Sequence, residues 1–192
     1  MRNIVISLGG SILIPTLPAN RIGRYVPVLR AIAEHHRLFI VVGGGGAARD
    51  YIEVARELGV DEGTSDEIGI LVTRLNAMLL LAALGDAAYP KVAESHAEAK
   101  KFAESRKIVV MGGITPGQTT DAVAAVLAER VGASVFINVT SVDGIYSTDP
   151  NKDKKAEHYD TLTPKQLLAI VGGTALTAGS NTVLDIVAAR VV

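Results

Sequence analysis

Three apolar runs of this sequence each end at glycine, and each is followed by a helical pattern. They are residues 3–8, 38–42 and 108–111. Short β-branched and aliphatic runs of this kind are typical of strands that are buried on both faces of a parallel sheet. The alternation of such strands with helices therefore predicts an α/β fold, with a mainly parallel sheet and helices on both of its faces.

The other elements are predicted from periodicity, helix caps and turn residues. Helices are expected over about residues 20–36, 47–58, 64–85, 95–104, 121–132 and 164–170, and a further buried strand over residues 134–139. Asn20 is expected to cap the first of these helices, and Asn181 or Thr182 a last one. Asp143-Gly144 has the composition of a tight turn between short strands.

The composition excludes several classes of protein. A chain of 192 residues with 48% hydrophobic residues has the size and apolar content of one globular domain. A net charge of −1 and a pI near 6.4 leave no basic surface for nucleic acid or for an anionic membrane. The absence of cysteine excludes disulfides and thiolate metal sites, and it is compatible with a reducing cytoplasm. No run of about 18 apolar residues is present, so no transmembrane helix is expected.

The most informative turn is residues 111–121, MGGITPGQTTD. It joins a predicted buried strand to a predicted helix, and Thr119, Thr120 and Asp121 are all residue types that favour helix N-caps. A strand that turns through small residues into a capped helix directs backbone N–H groups and hydroxyls at one place, where a phosphate can bind. An ordinary βα turn has the same outline, so the interpretation depends on further turns of similar composition.

A second turn contains four consecutive glycines, Gly43–Gly46, with Arg49 one helical turn later. Consecutive glycines allow a close approach of the backbone to a ligand, and a guanidinium can bind a phosphate. Gly43, Gly45 and Ala48 also match the dinucleotide pattern G-x-G-x-x-A. That pattern here follows the second strand, however, and no acid ends a further strand about 20 residues later. A P-loop is excluded because no glycine precedes a lysine.

Two more turns complete the set. Gly9-Gly10-Ser11 follows the first strand and combines two glycines with a hydroxyl. The fourth segment, residues 138–150, contains Tyr146, beside whose ring a base can pack, and Asp143 and Asp149, which can interact with ribose or Mg²⁺. Taken alone, this segment would be interpreted as a surface hairpin with turn-forming aspartates.

Together these motifs resemble those of archaeal-type uridylate (UMP) kinases, which belong to the amino-acid kinase family. The shared segments are, in order, LGGS, VVGGGG-AARDYI, TSDEIGILVTRLNAMLL, MGGITPGQTTDAVAA and NVTSVDGIYSTDP. The resemblance spans essentially the whole chain. It implies an αβα sandwich around a mainly parallel sheet and transfer of the ATP γ-phosphoryl group to UMP with Mg²⁺, in pyrimidine nucleotide biosynthesis. It also implies a homohexamer in the cytoplasm.

The resemblance further implies roles for individual residues in a single domain, with the UMP side over about residues 1–130 and the ATP side over about 131–192. The residues expected at ATP are Gly9, Gly10, Gly45, Arg49, Thr140, Tyr146 and Asp149, of which Gly10 and Arg49 are expected to act in catalysis. The residues expected at UMP are Gly44, Asp66, Ile114, Thr115, Pro116, Gly117, Gln118, Thr119 and Thr120. No residue is assigned to a metal, and Arg74 is interpreted as a helix-surface charge rather than a phosphate contact.

The sequence departs from these kinases at two cations and at its last residues. Many relatives have lysine where this chain has Ser7 and Gly46, and relatives continue past the final helix into a segment that adds a strand. A true truncation is expected to lower stability. Three alternatives therefore stay open: a kinase of this fold with a carboxylate, carbamate or isoprenoid phosphate acceptor, a nucleotide-binding protein without catalysis, and a dinucleotide-binding oxidoreductase.

Overall fold

The computed structural model describes residues 1–148, 153–173 and 186–191 of the chain. Its centre is a four-stranded parallel sheet in the order β3-β2-β1-β4. These strands are β1 (Asn3–Leu8), β2 (Arg37–Val42), β3 (Val109–Met111) and β4 (Val135–Val139). The mainly parallel sheet predicted from the apolar runs is confirmed.

Helices connect the strands of the sheet. In chain order they are α1 (Gly10–Leu13), α2 (Ile22–His35), α3 (Gly45–Glu57), α4 (Glu62–Leu84), α5 (His96–Phe102), α6 (Thr120–Arg130), α7 (Pro164–Gly173) and α8 (Ile186–Val191). Two further strands, β5 (Ile145–Tyr146) and β6 (His158–Tyr159), form a separate antiparallel pair.

The sheet is covered on both faces, as an αβα sandwich requires. Successive side chains of a strand point to opposite faces. Accordingly, Ile4 and Ile6 of β1 belong to one buried cluster together with residues of α2 and α4. Val5 lies between them in the sequence and belongs to a second cluster together with residues of α5 and α6. The continuous apolar runs of the strands are thus explained by burial on two sides.

Three helix starts differ from the sequence prediction. The first long helix, α2, begins at Ile22, and its N-cap position is Arg21 rather than Asn20. The helix after the second glycine turn begins at Gly45, within the glycine run, and not at Ala47. The start of α4 was expected at Thr64 or Ser65, but the carboxylate of Asp61 accepts a hydrogen bond from the Thr64 N–H at 3.0 Å. This N-cap places the helix start at Glu62.

Asp143 and Gly144, predicted to form a tight turn, lie in a bend before β5 and do not join two strands that pair with each other. The strand after these residues, β5, pairs with β6, in the register Ile145 to Tyr159. The partner strand therefore comes from later in the chain, which local turn composition cannot indicate. The predictions for Asp149 and for a cap at Asn181 or Thr182 lie outside the described residues.

Helix α4 is long and apolar enough to cross a membrane by length and composition alone, although the sequence has no continuous run of about 18 apolar residues. The segment Glu62–Ala87 has the length and composition of such a span, with a mean hydropathy of 1.9. Its apolar stretches are interrupted by polar residues, so a search for one continuous apolar run misses it. In the fold, α4 packs against α2, α3 and the sheet, as a core helix of a globular domain does.

The opposite side of α4 is apolar and exposed. Leu71, Leu75 and Met78 are each more than half exposed, at 62%, 56% and 58%. Together with neighbouring exposed apolar residues of α3 they form a surface that we call the outer face. Its members are Tyr51, Val54, Leu58, Leu71, Leu75, Met78 and Leu79.

Candidate active site

The first two glycine turns contact each other at the carboxyl ends of β1 and β2. A Cβ atom on Gly10 would lie 2.5 Å from the Gly43 carbonyl oxygen and would overlap the backbone of Gly45. A Cβ atom on Gly43 would lie 2.6 Å from the Gly10 nitrogen. The sequence predicted that the glycines allow the backbone to approach a ligand closely. In the structure they allow the two turns to approach each other. Ligands of open α/β sheets bind at this edge.

Arg49 extends from α3 towards the first glycine turn. It is an exposed side chain, and its Nη1 donates a hydrogen bond to Ser11 Oγ at 3.2 Å. Because α3 begins at Gly45, its first backbone N–H groups also lie at this edge. The structure thus brings together Arg49, Gly10 and Gly45, which the sequence assigned to one ligand.

Thr140 lies beside the first turn as well. The backbone N–H of Gly9 donates to the carbonyl oxygen of Val139 at 2.9 Å. A Cβ atom on Gly9 would lie 4.0 Å from the Thr140 Cα. The pairing of β1 with β4 therefore joins residues that are far apart in the chain at one site.

The third turn is attached to the start of α4. The carboxylate Oδ2 of Asp66 accepts a hydrogen bond from the Gly117 N–H at 2.8 Å. The helix that follows the turn, α6, has Thr119 as its N-cap, and the Thr119 hydroxyl accepts a hydrogen bond from the Ala122 N–H at 3.1 Å. Ile114 is partly buried against the core, whereas Thr115, Gly117, Gln118 and Thr119 are exposed. Seven of the residues expected at UMP, Ile114 to Thr120, thus lie on one segment that is hydrogen-bonded to an eighth, Asp66.

The interpretation of Arg74 as a surface charge is wrong. Its side chain is only 24% exposed, and its Nη1 forms an ion pair with Glu94 at 3.0 Å. Its Nε donates a hydrogen bond to the Gly113 carbonyl oxygen at 3.2 Å. Arg74 therefore fixes the backbone at the beginning of the third turn.

Ser7 is a buried polar residue near the end of β1. It is 1% exposed, and its Oγ donates a hydrogen bond to Asp121 Oδ1 at 2.6 Å. The hydroxyl thus connects the end of β1 to the first turn of α6.

Tyr146 and Asp143 are partners within the fourth segment. The Tyr146 hydroxyl donates to Asp143 Oδ1 at 2.8 Å. This hydrogen bond lowers the pKa of Asp143 and raises the pKa of Tyr146. The Tyr146 ring also meets His158 of β6 edge-on, with 5.0 Å between the ring centroids. The Tyr146 hydroxyl therefore already has a hydrogen-bond partner within the protein.

The sequence of residues 2–192 matches the family model described as "Amino acid kinase family". The chain belongs to this family. Among its relatives is a uridylate kinase from Methanoregula boonei, which is 74% identical over 192 residues, covering 100% of this chain and 82% of the relative. A uridylate kinase from Methanoculleus marisnigri is 63% identical, over the same share of each chain.

A solved structure agrees with this family assignment. The crystal structure of a uridylate kinase from Archaeoglobus fulgidus has a TM-score of 0.89 and 46% identity to this chain, and the match covers 100% of this chain and 85% of the other. The amino-acid kinase fold expected from the motifs is confirmed. Both comparisons also show that the relatives contain residues that this kinase sequence does not include.

The sequence analysis did not identify the hydrogen bond between Ser7 and Asp121, nor two polar residues of α4 that contact the glycine turns. Ser7 and Asp121 form the buried hydrogen bond described above. Thr73 and Asn76, on the inner side of α4, are 7% and 3% exposed. Thr73 and Asn76 could have been recognised from the sequence, because they are polar residues three positions apart, on one face of an otherwise apolar helix.

Proposed function

We propose that this kinase transfers the γ-phosphoryl group of ATP to UMP and forms UDP in pyrimidine nucleotide biosynthesis. The observation that carries the proposal is 74% identity over all 192 residues to a protein named uridylate kinase. The geometry supports it, because three glycine-containing turns meet at one edge of the sheet and the third is held by Asp66. Two phosphate-bearing ligands that meet end to end need such facing turns.

We also propose roles for individual residues on the basis of the resemblance to the family. On the ATP side we propose Gly9, Gly10, Gly45, Arg49, Thr140 and Tyr146, together with Asp149, which lies outside the described residues. On the UMP side we propose Gly44, Asp66 and the residues from Ile114 to Thr120. Gly44 and Gly45 are adjacent, so the two ligands would meet at the start of α3.

Catalysis would consist of positioning and of charge stabilisation. In phosphoryl transfer the protein performs little covalent chemistry, and donors aimed at the moving group lower the barrier. Here the Gly10 backbone N–H, the first N–H groups of α3 and the Arg49 guanidinium are the donors proposed for that role. Arg49 contacts Ser11 in the structure and would exchange this hydroxyl for a phosphate oxygen.

We propose Mg²⁺ as the metal that accompanies ATP. The described residues contain no group of three or more His, Asp or Glu side chains that would hold a metal by themselves. This fits a nucleotide-borne ion, because Mg²⁺ in kinases is bound largely by substrate phosphates and water. When bound, the ion would neutralise charge on the β- and γ-phosphate oxygens.

We also propose that the kinase is a homo-oligomer in the cytoplasm, a hexamer by its resemblance to the family. The outer face supports self-association, because several large apolar side chains are exposed on two helices that pack together, which is typical of protein interfaces. Leu75→Glu should lower the mass measured by light scattering. Val28→Glu, which changes an exposed apolar residue of α2, should leave the mass unchanged.

The experiment that tests the function is transfer from Mg·ATP by the purified protein. UMP, CMP, acetylglutamate and isopentenyl phosphate would be compared as acceptors, with and without a chelator. UDP formation that requires UMP and is lost on chelation supports the proposal. Transfer to another acceptor alone, or saturable binding of ATP and UMP without transfer, would overturn it.

A further inference from the structure

One turn of helix α4 binds two of the glycine turns. The Oγ1 atom of Thr73 accepts a hydrogen bond from the Gly113 N–H at 2.7 Å. The Nδ2 atom of Asn76 donates to the carbonyl oxygens of Gly43 and Gly44, both at 3.0 Å. The turn proposed to lie between the ligands and the segment proposed to bind UMP are therefore attached to the same piece of helix.

The geometry of both side chains is tightly determined. Thr73 and Asn76 are buried in an apolar helix, where an unpaired polar group would be costly. The Thr73 hydroxyl also donates to the Ile70 carbonyl oxygen at 2.7 Å, which leaves its lone pairs for the Gly113 N–H. The amide nitrogen of Asn76 donates to two carbonyl oxygens, and these two hydrogen bonds fix the orientation of the amide.

The turns lie directly against the helix. A Cβ atom on Gly112 would lie 2.6 Å from Thr73 Oγ1 and 2.9 Å from the Arg74 backbone nitrogen. A Cβ atom on Gly44 would lie 3.5 Å from Thr73 Cγ2. No side chain separates these turns from α4, so a shift of either turn requires that a buried hydrogen bond be broken.

On the basis of the proposed function, we propose that Thr73 and Asn76 are positioning residues for phosphoryl transfer. They would set the separation between the second glycine turn and the UMP segment, through Gly44 and Gly113, without touching a reacting atom. Residues three apart in a helix are separated by about 4.5 Å along its axis, so α4 provides a fixed spacing. A misplacement of about 1 Å between reactants costs roughly 100-fold in rate.

Thr73→Val tests this role because valine keeps the shape and removes the hydroxyl. We expect kcat to fall about tenfold or more, while the dissociation constants of ATP and UMP change by less than about threefold. Thr73→Ser keeps the hydroxyl and should restore kcat to within about threefold of the wild type. Asn76→Leu should resemble Thr73→Val, because it removes the donor to the second glycine turn.

Val72→Ala is the matched control for stability. Val72 is a buried neighbour on α4, and its truncation lowers Tm without removing a hydrogen bond to either turn. Its kcat per folded enzyme should stay within about twofold of the wild type. Equal losses of kcat in Val72→Ala and Thr73→Val, or full kcat in Thr73→Val and Asn76→Leu, would overturn the proposal.

Hydrogen exchange gives a readout that does not depend on turnover. Thr73→Val should speed exchange in a peptide that contains Gly113, and Asn76→Leu in a peptide that contains residues 43–48, whereas Val72→Ala should do neither. Unchanged exchange in both variants would overturn the positioning role. Wild-type protein that forms no UDP from UMP would overturn the proposed function instead, and the exchange measurement would still decide whether these residues hold the turns.

Discussion

Asp66 Oδ2 accepts a hydrogen bond from the Gly117 N–H at 2.8 Å, although 51 residues separate the two in the chain. Gly117 has a φ of +76°, a conformation that favours glycine, so the turn is determined both locally and through Asp66. Asp66→Ala should therefore loosen the UMP segment and raise the KM for UMP about tenfold, with less than about threefold change for ATP. Steady-state kinetics with each substrate varied would measure this.

The control for Asp66 is its neighbour Glu67, which is exposed on the same helix. Glu67→Ala removes a carboxylate from the same end of α4 and should leave both KM values unchanged. An equal rise of the KM for UMP in the two variants would show that general charge, and not the contact with Gly117, is responsible.

Gly10 has no room for a side chain, because a Cβ atom would lie 2.5 Å from the Gly43 carbonyl oxygen. Gly10→Ala should force the first two turns apart, lower the free energy of unfolding by about 3 kcal/mol, and abolish transfer. Gly23, in the first turn of α2, has nothing within 4 Å of the corresponding position. Gly23→Ala should therefore raise the free energy of unfolding by about 0.4–1 kcal/mol, because alanine restricts the unfolded chain, and it should preserve activity. Urea titrations of the two variants would check both signs.

Thr119 combines a structural and a proposed binding role. Its hydroxyl caps α6 through the Ala122 N–H, and Ser95 caps α5 in the same way through the Glu98 N–H at 3.1 Å. Thr119→Ala and Ser95→Ala should each lower the free energy of unfolding by about 1 kcal/mol. Only Thr119→Ala should also raise the KM for UMP. A similar KM for UMP in both variants would show that Thr119 does not contribute to UMP binding.

His96 predicts a dependence of stability on pH. Burial lowers its pKa below the usual 6.5, against the opposing effect of the hydrogen bond between Nε2 and the Val123 carbonyl oxygen, and nearby Arg130 lowers it further. The unfolded chain then binds more protons than the folded chain between the two pKa values. Stability should therefore fall as the pH is lowered from about 6.5 towards the folded pKa of His96.

The matched variant is His96→Gln, which keeps a donor for the Val123 carbonyl oxygen but does not titrate. Urea midpoints measured between about pH 7.5 and 5 should fall less steeply in this variant than in the wild type. Parallel curves for the two proteins would exclude His96 as a source of the pH dependence.

Local sequence predicted those parts of the fold that local physics determines. The apolar runs of β1 and β2 and the threonine cap of α6 all need only neighbouring residues to be recognised. The partner of β5 and the contact of Arg74 with Gly113 depend on residues far away in the chain. No periodicity or turn composition contains that information.

The candidate site shows the same division. The glycines at positions 10 and 43 were predicted to mark a functional turn, and the structure places them together. The reason for glycine at these positions differs from the predicted one, because a side chain on either residue would collide with the backbone of the other turn. Asn76 was not predicted at all, because its two acceptors lie in a turn that precedes it by more than 30 residues.

The order of strands has a consequence for how the protein is made. β1 is synthesised first, and it pairs with both β2 and β4. Ile4 can therefore pair with Val135 only after the chain has been synthesised as far as β4. Pairings between distant residues form slowly, because the intervening chain must first be brought together. A ribosome-bound chain would thus be able to form the pairings of β1, β2 and β3 before Thr140 reaches Gly9. The part of the site proposed for ATP, which includes Thr140, would be completed last.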